Sequence, residues 1–310
     1  MLNAAPVWGN VNAQQLGPPT DPASSWMRIM NSVLLGLIGQ GIQLSRTPAL
    51  HEHEGDAQGV RTLYRIIDLD TLGLGVAALP ELILAAERMG FAGLNITHPC
   101  KQAVLPLLTE LSPDAAALGA VNTVLFRDGK RYGRNTDWWG FAEAFRRNMA
   151  GAALDRVVQL GAGGAGAAVA HALLTLGVGQ LTIQDVDPSR AAALAASLSD
   201  RFGAGRAVAA SSLADSVRAA DGLVNCTPMG MAAHPGLPLP ADLLRPALWV
   251  ADIVYFPLET ALLHQARALG CRTLHGGHMA VFQAVEAFRL FTGLTPNAER
   301  MLEHFTAMVA

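Results

Sequence analysis

The sequence is short of cysteine, of charge and of any long uninterrupted apolar run. Only three cysteines, Cys100, Cys226 and Cys271, occur in 310 residues. An odd number without paired spacing excludes a disulfide framework and a zinc site, and points to thiols in a reducing compartment. Charged residues are 15% of the chain, and 22 Lys and Arg nearly balance 25 Asp and Glu, for a net charge of −3. The basic excess of a nucleic-acid binder is missing. With 51% hydrophobic residues, the chain also lacks the composition of a disordered protein. Its start has no basic stretch followed by an apolar one, so no signal peptide is read. The most membrane-like segment, 160–178, holds His171, Thr175 and five glycines, whereas a spanning helix needs about 20 mostly apolar residues. No internal repeat is visible. A soluble, cytoplasmic protein is expected, with no nucleic-acid or membrane partner; a homodimer is left open.

At about 150 residues per domain the length favours two domains. Residues 1–28 hold four prolines and no periodicity, and read as a mobile tail in which Trp8 and Trp26 are the docking candidates. From Val33 onward short apolar runs alternate with helical patterns. Strands are expected near Val33–Ile38, Leu63–Ile67, Ala92–Ile96 and Val121–Phe126, and helices near Pro48–Glu54, Leu79–Met89 and Lys101–Leu108. A more regular alternation begins at Arg156, with strands Val157–Leu160, Leu181–Gln184, Arg206–Ala209, Gly222–Asn225, Trp249–Ile253 and Arg272–Leu274. Such alternation implies α/β architecture with parallel sheets. Two helices, Met279–Phe291 and Ala298–Met308, close the chain; the pattern alone does not assign them to either unit.

One turn carries a phosphate-binding signature. Gly161, Gly163 and Gly166 fill the G-x-G-x-x-G slots in Leu160-Gly161-Ala162-Gly163-Gly164-Ala165-Gly166, between an apolar strand and a helix. The first glycine permits the tight turn, the second the approach of a pyrophosphate, the third close helix–strand packing. The pyrophosphate would lie on helix N–H groups that have no internal partner. The following strand ends in Asp185, 19 residues past Gly166. An acid there accepts hydrogen bonds from the adenosine ribose hydroxyls and repels a 2′-phosphate, which selects NAD over NADP. Arg190, nearby, leaves some room for NADP.

Three motifs precede that turn: Gly39-Gln40-Gly41-Ile42-Gln43-Leu44-Ser45-Arg46-Thr47-Pro48; Asn95-Ile96-Thr97-His98-Pro99-Cys100-Lys101; and Ala120-Val121-Asn122-Thr123, followed by Asn135-Thr136-Asp137. Each is read as joining a strand end to a helix start, with Pro48 and Pro99 at first helical positions. Ser45 and Thr47 then place hydroxyls where an anion such as a carboxylate is favoured. Lys101, in a first turn, gains nothing from the helix dipole and so has another purpose. His51-Glu52-His53-Glu54 looks metal-like, but the spacing is not H-E-x-x-H and residues two apart diverge on a helix. It reads as a solvated helix face, and no metal is expected.

In order, these motifs resemble the shikimate dehydrogenase family, from about Leu34 to Thr306, and most closely its NAD-dependent quinate/shikimate dehydrogenase branch. Leu-Ser-Arg-Thr-Pro at 44–48, Asp185, and Ala287-Phe288-Arg289-Leu290-Phe291-Thr292-Gly293 carry the branch. The resemblance implies a substrate domain of residues 29–136 plus 279–310, a Rossmann-type NAD-binding domain of residues 137–278, and an active site in the cleft between them. It implies Lys101 and Asp137 as the catalytic pair and Ser45 and Thr47 as carboxylate-binding hydroxyls. Thr97, Asn122 and Gln283 would hold ring hydroxyls, with Tyr255 facing the substrate. Gly161, Gly163, Gly164, Ala165, Gly166, Asp185 and Arg190 would meet NAD, as would Thr227 in Asn225-Cys226-Thr227-Pro228-Met229-Gly230, and Gly276 and Met279 near the nicotinamide. Threonine at 47, where biosynthetic members usually carry serine, is linked with quinate use. Cys100 replaces a common aromatic, and Gly277-His278 departs from the branch pattern.

Oxidising a secondary alcohol removes a hydride and a hydroxyl proton, and the proton needs a base within about 2.6–3.2 Å. Free lysine, with a pKa near ~10.4, is too basic at neutral pH. Desolvation would lower Lys101 and Asp137 would raise it again. Two versions stay open: Lys101 is the base, or the two residues pass the proton as a coupled pair. The rival readings are a dehydrogenase for an amino-substituted shikimate, a non-catalytic NAD sensor, and a lysine-using dehydrogenase for folate derivatives.

Overall fold

The computed structural model describes residues 32–309; the expected tail, residues 1–28, lies outside them. Two six-stranded sheets follow one another along the chain. The first comprises β1 (Ser32–Gly39), β2 (Arg61–Asp68), β3 (Gly93–Ile96), β4 (Glu110–Leu111), β5 (Thr123–Arg127) and β6 (Lys130–Arg134), in the order β2-β1-β3-β5-β6-β4. β1 lies inside the sheet and is buried on nearly every residue after Ser32, which is why it reads as a continuous apolar run. β2 is an edge, and Arg61, Leu63 and Arg65 alternate outward against buried Thr62 and Tyr64, the two-residue period of a half-covered strand.

Four expectations for this half need correction. The sheet is mixed: β5 runs antiparallel to both β3 and β6. A tight turn at Asp128-Gly129 with positive φ at both residues joins β5 to β6 as a hairpin, so no helix intervenes to make a parallel crossover. Ala120-Val121-Asn122-Thr123 therefore leads from a helix into a strand; only Asn135-Thr136-Asp137 runs from a strand into a helix. The helix expected over Lys101–Leu108 is one turn, Cys100–Ala103, followed by a 3₁₀ turn Leu105–Leu107. Pro106 has no N–H to continue the ladder. Pro99 sits just before that helix, whereas Pro48 lies in the first turn of Thr47–Ala57.

The second sheet comprises β7 (Arg156–Leu160), β8 (Gln180–Gln184), β9 (Ala207–Ala209), β10 (Gly222–Asn225), β11 (Trp249–Asp252) and β12 (Thr273–Leu274). All pairs are parallel, in the order β9-β8-β7-β10-β11-β12. This is the doubly wound arrangement, whose strand order reverses between β7 and β10 and opens a crevice at their carboxyl ends. The glycine turn follows β7 and Asn225–Gly230 follows β10, so both border that crevice.

The helix Asp137–Asn148 joins the two halves and lies against the long helix Gly276–Thr292. That long helix begins earlier than expected, at Gly276, so residues 278 and 279 share its first turn. Val281, Phe282 and Val285 pack in the large core beneath the second sheet, with Phe141, Phe145, Val157 and Leu173. One turn further, Ala287 and Phe291 pack with Val33, Leu35 and Leu37 of the first sheet. The closing helices therefore serve both halves.

His51-Glu52-His53-Glu54 does not form a solvated face. His51 and Glu54 are fully buried. Glu54 accepts from Arg300 Nε and Nη2 at 2.8 Å each, Asn297 N at 2.8 Å and Gln58 Nε2 at 2.6 Å, tying Thr47–Ala57 to the last helix. Burial pulls its carboxyl upward, but these donors outweigh it and hold it below the usual range. His51 lies among Tyr64, Phe288 and Phe291, with ring centroids 5.0–5.9 Å apart, and neither ring nitrogen has a hydrogen-bond partner. It acts as a neutral aromatic core residue. Among the described residues no group of three or more His, Cys, Asp or Glu is placed to hold a metal.

Burial lowers His51 from 6.5 to about 3. The unfolded chain therefore takes a proton that the folded one refuses, and stability falls as pH drops below 6.5. The slope approaches about 1.4 kcal/mol per pH unit down to the folded value. Urea unfolding of His51→Leu between pH 7 and 4 is expected to lose this component of the acid sensitivity while keeping that of Glu54, which is confined to the carboxylate range.

Candidate active site

The site residues gather at the carboxyl ends of β1, β3 and β6 in the first sheet and β7, β8, β10 and β11 in the second. Lys101 Nζ lies 2.5 Å from Asp137 Oδ2, with side chains 22% and 12% exposed. Lys101 follows β3 and Asp137 opens the helix after β6. Asp137 is held from two other directions. Asn122 Nδ2 donates to its Oδ1 at 2.9 Å, and its own N–H donates to Asn135 Oδ1 at 3.1 Å. Asn122 is itself locked: its Oδ1 accepts from Thr136 N at 2.7 Å and Thr123 Oγ1 at 3.0 Å. Asn122, 3% exposed, thus first orients Asp137, a different duty from the ring-hydroxyl contact the resemblance implies.

Ser45 and Thr47 stand together as expected, their hydroxyls 3.1 Å apart at the start of Thr47–Ala57. The N-cap residue Arg46 offers no side-chain cap, Thr47 N donates to Ser45 Oγ at 3.3 Å and Pro48 has no N–H, so of the first turn Ala49 N is left to an anion. The loop bearing Ser45 is anchored by Asp68, at the end of β2, which accepts from Gly41 N, Ile42 N and Gln43 Nε2 at 2.9–3.2 Å. Those donors hold the Asp68 carboxyl below its usual value against a desolvation that would raise it. Thr97 packs on Gly39, where a Cβ would lie 2.3 Å from Thr97 Cγ2; the ends of β1 and β3 meet there without room for a side chain.

Tyr255 is 45% exposed. Partial enclosure raises its hydroxyl above the ordinary value, and the Lys101 ammonium acts the other way. Met279 and Gln283 lie one turn apart on the long helix. Gly140 lies three residues after Asp137, on the same helix face. A Cβ at 140 would sit 2.6 Å from Gln283 N and 2.9 Å from Met279 O. The backbones touch there, one turn from Asp137. Gln283 Nε2 donates to Ala280 O at 3.0 Å, within its own helix.

The glycine turn fits a dinucleotide. Gly161 has φ +96, a conformation glycine adopts without strain. A Cβ at Gly166 would lie 2.4 Å from Gly161 O, whereas one at Gly163 or Gly164 would meet nothing. The third slot is therefore packed and the second is open. The helix Gly164–Thr175 has no side-chain cap, which leaves its first N–H groups to a pyrophosphate. Gln159 Nε2 braces the turn from below, donating to Gly161 O and Gly166 O at 2.9 Å each. Asp185 accepts from Ala162 N at 2.7 Å and Asp187 N at 2.9 Å, which fixes its carboxylate beside the turn. Arg190 is exposed and leans toward Asp187, 3.5 Å away.

Thr227 donates to Asn225 Oδ1 from its N–H at 3.0 Å and its hydroxyl at 2.7 Å. Cys226 is half-buried and burial pushes its thiol well up, consistent with a packing residue and not a nucleophile. Gly276 packs on the end of β11, its missing side chain 2.3 Å from Ile253 O. Three supporting groups were missed in the sequence: Asp68, Gln159 and Asp252. They stand at or next to the carboxyl ends of β2, β7 and β11, and a polar residue closing a strand is the signal they give.

Comparison with known proteins gives the family. The model of the shikimate dehydrogenase substrate binding domain matches residues 37–124, and that of the shikimate 5′-dehydrogenase C-terminal domain matches 278–304. A relative named shikimate dehydrogenase (NADP(+)), from Streptomyces avermitilis, is 62% identical over 88% of this chain and 94% of its own length. The chain belongs to the shikimate dehydrogenase family. A second member, quinate/shikimate dehydrogenase (NAD(+)) from Corynebacterium efficiens, is 54% identical over 90% of this chain and 99% of its own. Quinate dehydrogenase from Corynebacterium glutamicum, solved in complex with NAD, superposes with a TM-score of 0.85 at 53% identity, over 89% of this chain and 99% of that one. Among the described residues no helix is long and apolar enough to cross a membrane.

The contact at Gly140 yields a direct test in this family member. Gly140→Ala gains up to about 1 kcal/mol of helix propensity. A Cβ 2.6 Å from backbone nitrogen forces the two helices apart, and overpacking of this kind costs about 1–3 kcal/mol. Net destabilisation in urea unfolding is expected, with a fall in kcat because Asp137 and Gln283 move apart. A variant with the stability and turnover of the parent would show that the helices yield freely.

Proposed function

We propose that this protein is an NAD-dependent quinate/shikimate dehydrogenase, oxidising quinate to 3-dehydroquinate and/or shikimate to 3-dehydroshikimate. The observation that carries the reading is the Lys101–Asp137 pair at 2.5 Å, held in place by Asn122. The names of the Corynebacterium relatives support the substrate class. They favour this activity over an amino-substituted shikimate or a sensor role, and an intact ion pair beside the cleft is of no use to a sensor.

Ser45 and Thr47, with the uncapped helix start behind them, bind the substrate carboxylate. Thr97, Gln283 and Tyr255 meet the ring and its hydroxyls, and Asn122 holds Asp137 for the reaction. Lys101, once it has passed a proton to Asp137 or to solvent, takes the proton of the alcohol as it is oxidised, and Asp137, hydrogen-bonded to Lys101 and fixed by Asn122, governs how readily it does so. NAD, when bound, accepts the hydride. The Gly161–Gly166 turn would hold its pyrophosphate and Asp185 its adenosine ribose. Thr227, Gly276 and Met279 border the nicotinamide side. Asp185 also supports NAD over NADP: a carboxylate pinned by two backbone N–H groups would face a 2′-phosphate directly, and Arg190 is turned to Asp187. In this reading residues 29–136 with 279–310 bind substrate, residues 137–278 bind NAD, and free, mostly buried cysteines suit the cytoplasm.

Initial rates with NAD and NADP, each crossed against quinate and shikimate, test the reading. Turnover with NAD and either acid is expected. Absence of turnover with both acids, despite measurable NAD binding, would overturn the substrate assignment. Lys101→Ala should lower kcat by at least about 10²-fold with only modest weakening of substrate binding; an unchanged kcat would remove Lys101 from the chemistry. Asp137→Asn separates the two versions: a loss as deep as that of Lys101→Ala means a coupled pair, a milder one an orienting role.

A further inference from the structure

We propose that Asp252 is a positioning residue that aligns the cofactor side and the substrate side of the cleft from one buried carboxylate. The inference rests on the proposed function for the identity of the two ligands. Asp252 ends β11, is 2% exposed, and stands in register with Asn225 at the end of β10. Its Oδ1 accepts from Asn225 Nδ2 and from Val254 N, both at 3.0 Å, and its Oδ2 from Thr260 Oγ1 at 2.8 Å. Among the described residues no cation pairs with it.

A buried carboxylate without a cation is expensive, and asparagine of the same shape would be cheaper to bury. The site calls for a group that only accepts. Three donors converge on its two oxygens, and an asparagine would turn an NH₂ toward at least one of them. Each of the three leads to the cleft. The Asn225 amide can direct its NH₂ at only one neighbour and its oxygen at another. With Nδ2 committed to Asp252 and to Met229 O at 3.0 Å, Oδ1 must face Thr227. The turn then closes when Met229 N donates to Thr227 Oγ1 at 3.2 Å. Asp252 thereby sets which way the Asn225 amide points, and with it the loop that borders the cofactor. Val254 N, held by the same Oδ1, begins the segment that delivers Tyr255 to the substrate. Thr260 starts the helix Ala261–Ala268 and packs under Gly230, the last residue of the cofactor loop, where a Cβ would meet Thr260 at 3.3 Å.

Asp252→Asn and the exchange Asp252→Asn with Asn225→Asp test this, read by calorimetric NAD binding, by KM for NAD and for the acid against kcat, and by thermal midpoint. Asp252→Asn is expected to raise the NAD Kd and both KM values about tenfold, with a smaller change in kcat. The exchange restores a donor facing an acceptor across β10 and β11, but it sets a carboxylate against Met229 O and an NH₂ against Val254 N, so it should bind NAD no better than Asp252→Asn. Asp252→Asn with parental Kd and KM, whatever its midpoint, overturns the inference. If it does not fold, Thr260→Val and Thr260→Ser decide. Valine should raise the KM for NAD about threefold and serine restore it, and a valine variant equal to the parent overturns the inference. Parent protein that binds no NAD overturns the proposed function and this inference with it, whereas parent protein that binds NAD beside an unaffected Asp252→Asn overturns the inference alone.

Discussion

The whole arrangement depends on how closely the helix Asp137–Asn148 approaches the helix Gly276–Thr292. At Gly140 the backbones are in contact, and everything chemically important on either helix lies within a turn of that point. Asp137 is on one side; Met279 and Gln283 are on the other. The same two helices contribute Phe141, Phe145, Val281 and Phe282 to the large core and Ala287 and Phe291 to the core of the first sheet. Hydrophobic burial on both sides presses the helices together, and the absence of a side chain at 140 sets how far they can go. The catalytic geometry is thus fixed by packing in two cores, and the polar site inherits its precision from apolar neighbours.

Within that scaffold the organising groups are carboxylates and carboxamides near strand ends. Parallel strands finish with N–H groups that the ladder no longer satisfies, and the loops that follow add more. Asp68, Asp137, Asp185 and Asp252 each accept at least one backbone N–H or side-chain amide there. An ionised acid has about four acceptor sites and no donor, so one residue ties down several loop atoms at once. Burial penalises the charge, and the balance differs from site to site. Asp68, with several donors, is held low, whereas burial pushes Asp252 up to about 6 despite its three. At neutral pH both remain acceptors, which is the state their loops require.

Much of this was legible before any coordinates. The period-two and apolar runs located nearly every strand, and the second sheet followed its expected order because helices of ordinary length separate its strands. The Asn95–Lys101 and Asn135–Asp137 motifs placed the pair that the fold brings to 2.5 Å. What was not legible has physical causes. The β5–β6 hairpin hides in a strand ending at Arg127 and resuming at Lys130, where only Asp128-Gly129 marks the turn. The burial of His51 and Glu54 depends on Arg300 and Phe288, more than 200 residues away, so a charged tetrapeptide looked solvated until its distant partner was in place. Gln159 and Asp252 brace loops through contacts that no local spacing encodes.

Cofactor choice shows why overall identity is a poor guide at one position. The Streptomyces relative, named for NADP, resembles this chain more closely than the Corynebacterium relatives named for NAD. Identity over the whole chain measures two cores and a substrate site, which the two groups share. The distinction between the cofactors rests on a single phosphate, and that phosphate would lie at the end of β8. There the carboxylate of Asp185 is not free to swing aside, since Ala162 N and Asp187 N hold an oxygen each. Two fixed charges of one sign in that crevice repel whatever the rest of the sequence resembles. Moving the carboxylate away would also release Ala162 N and loosen the glycine turn. In the proposed reading the preference for NAD is built into the same hydrogen bonds that shape the pyrophosphate site, and changing one means rebuilding the other.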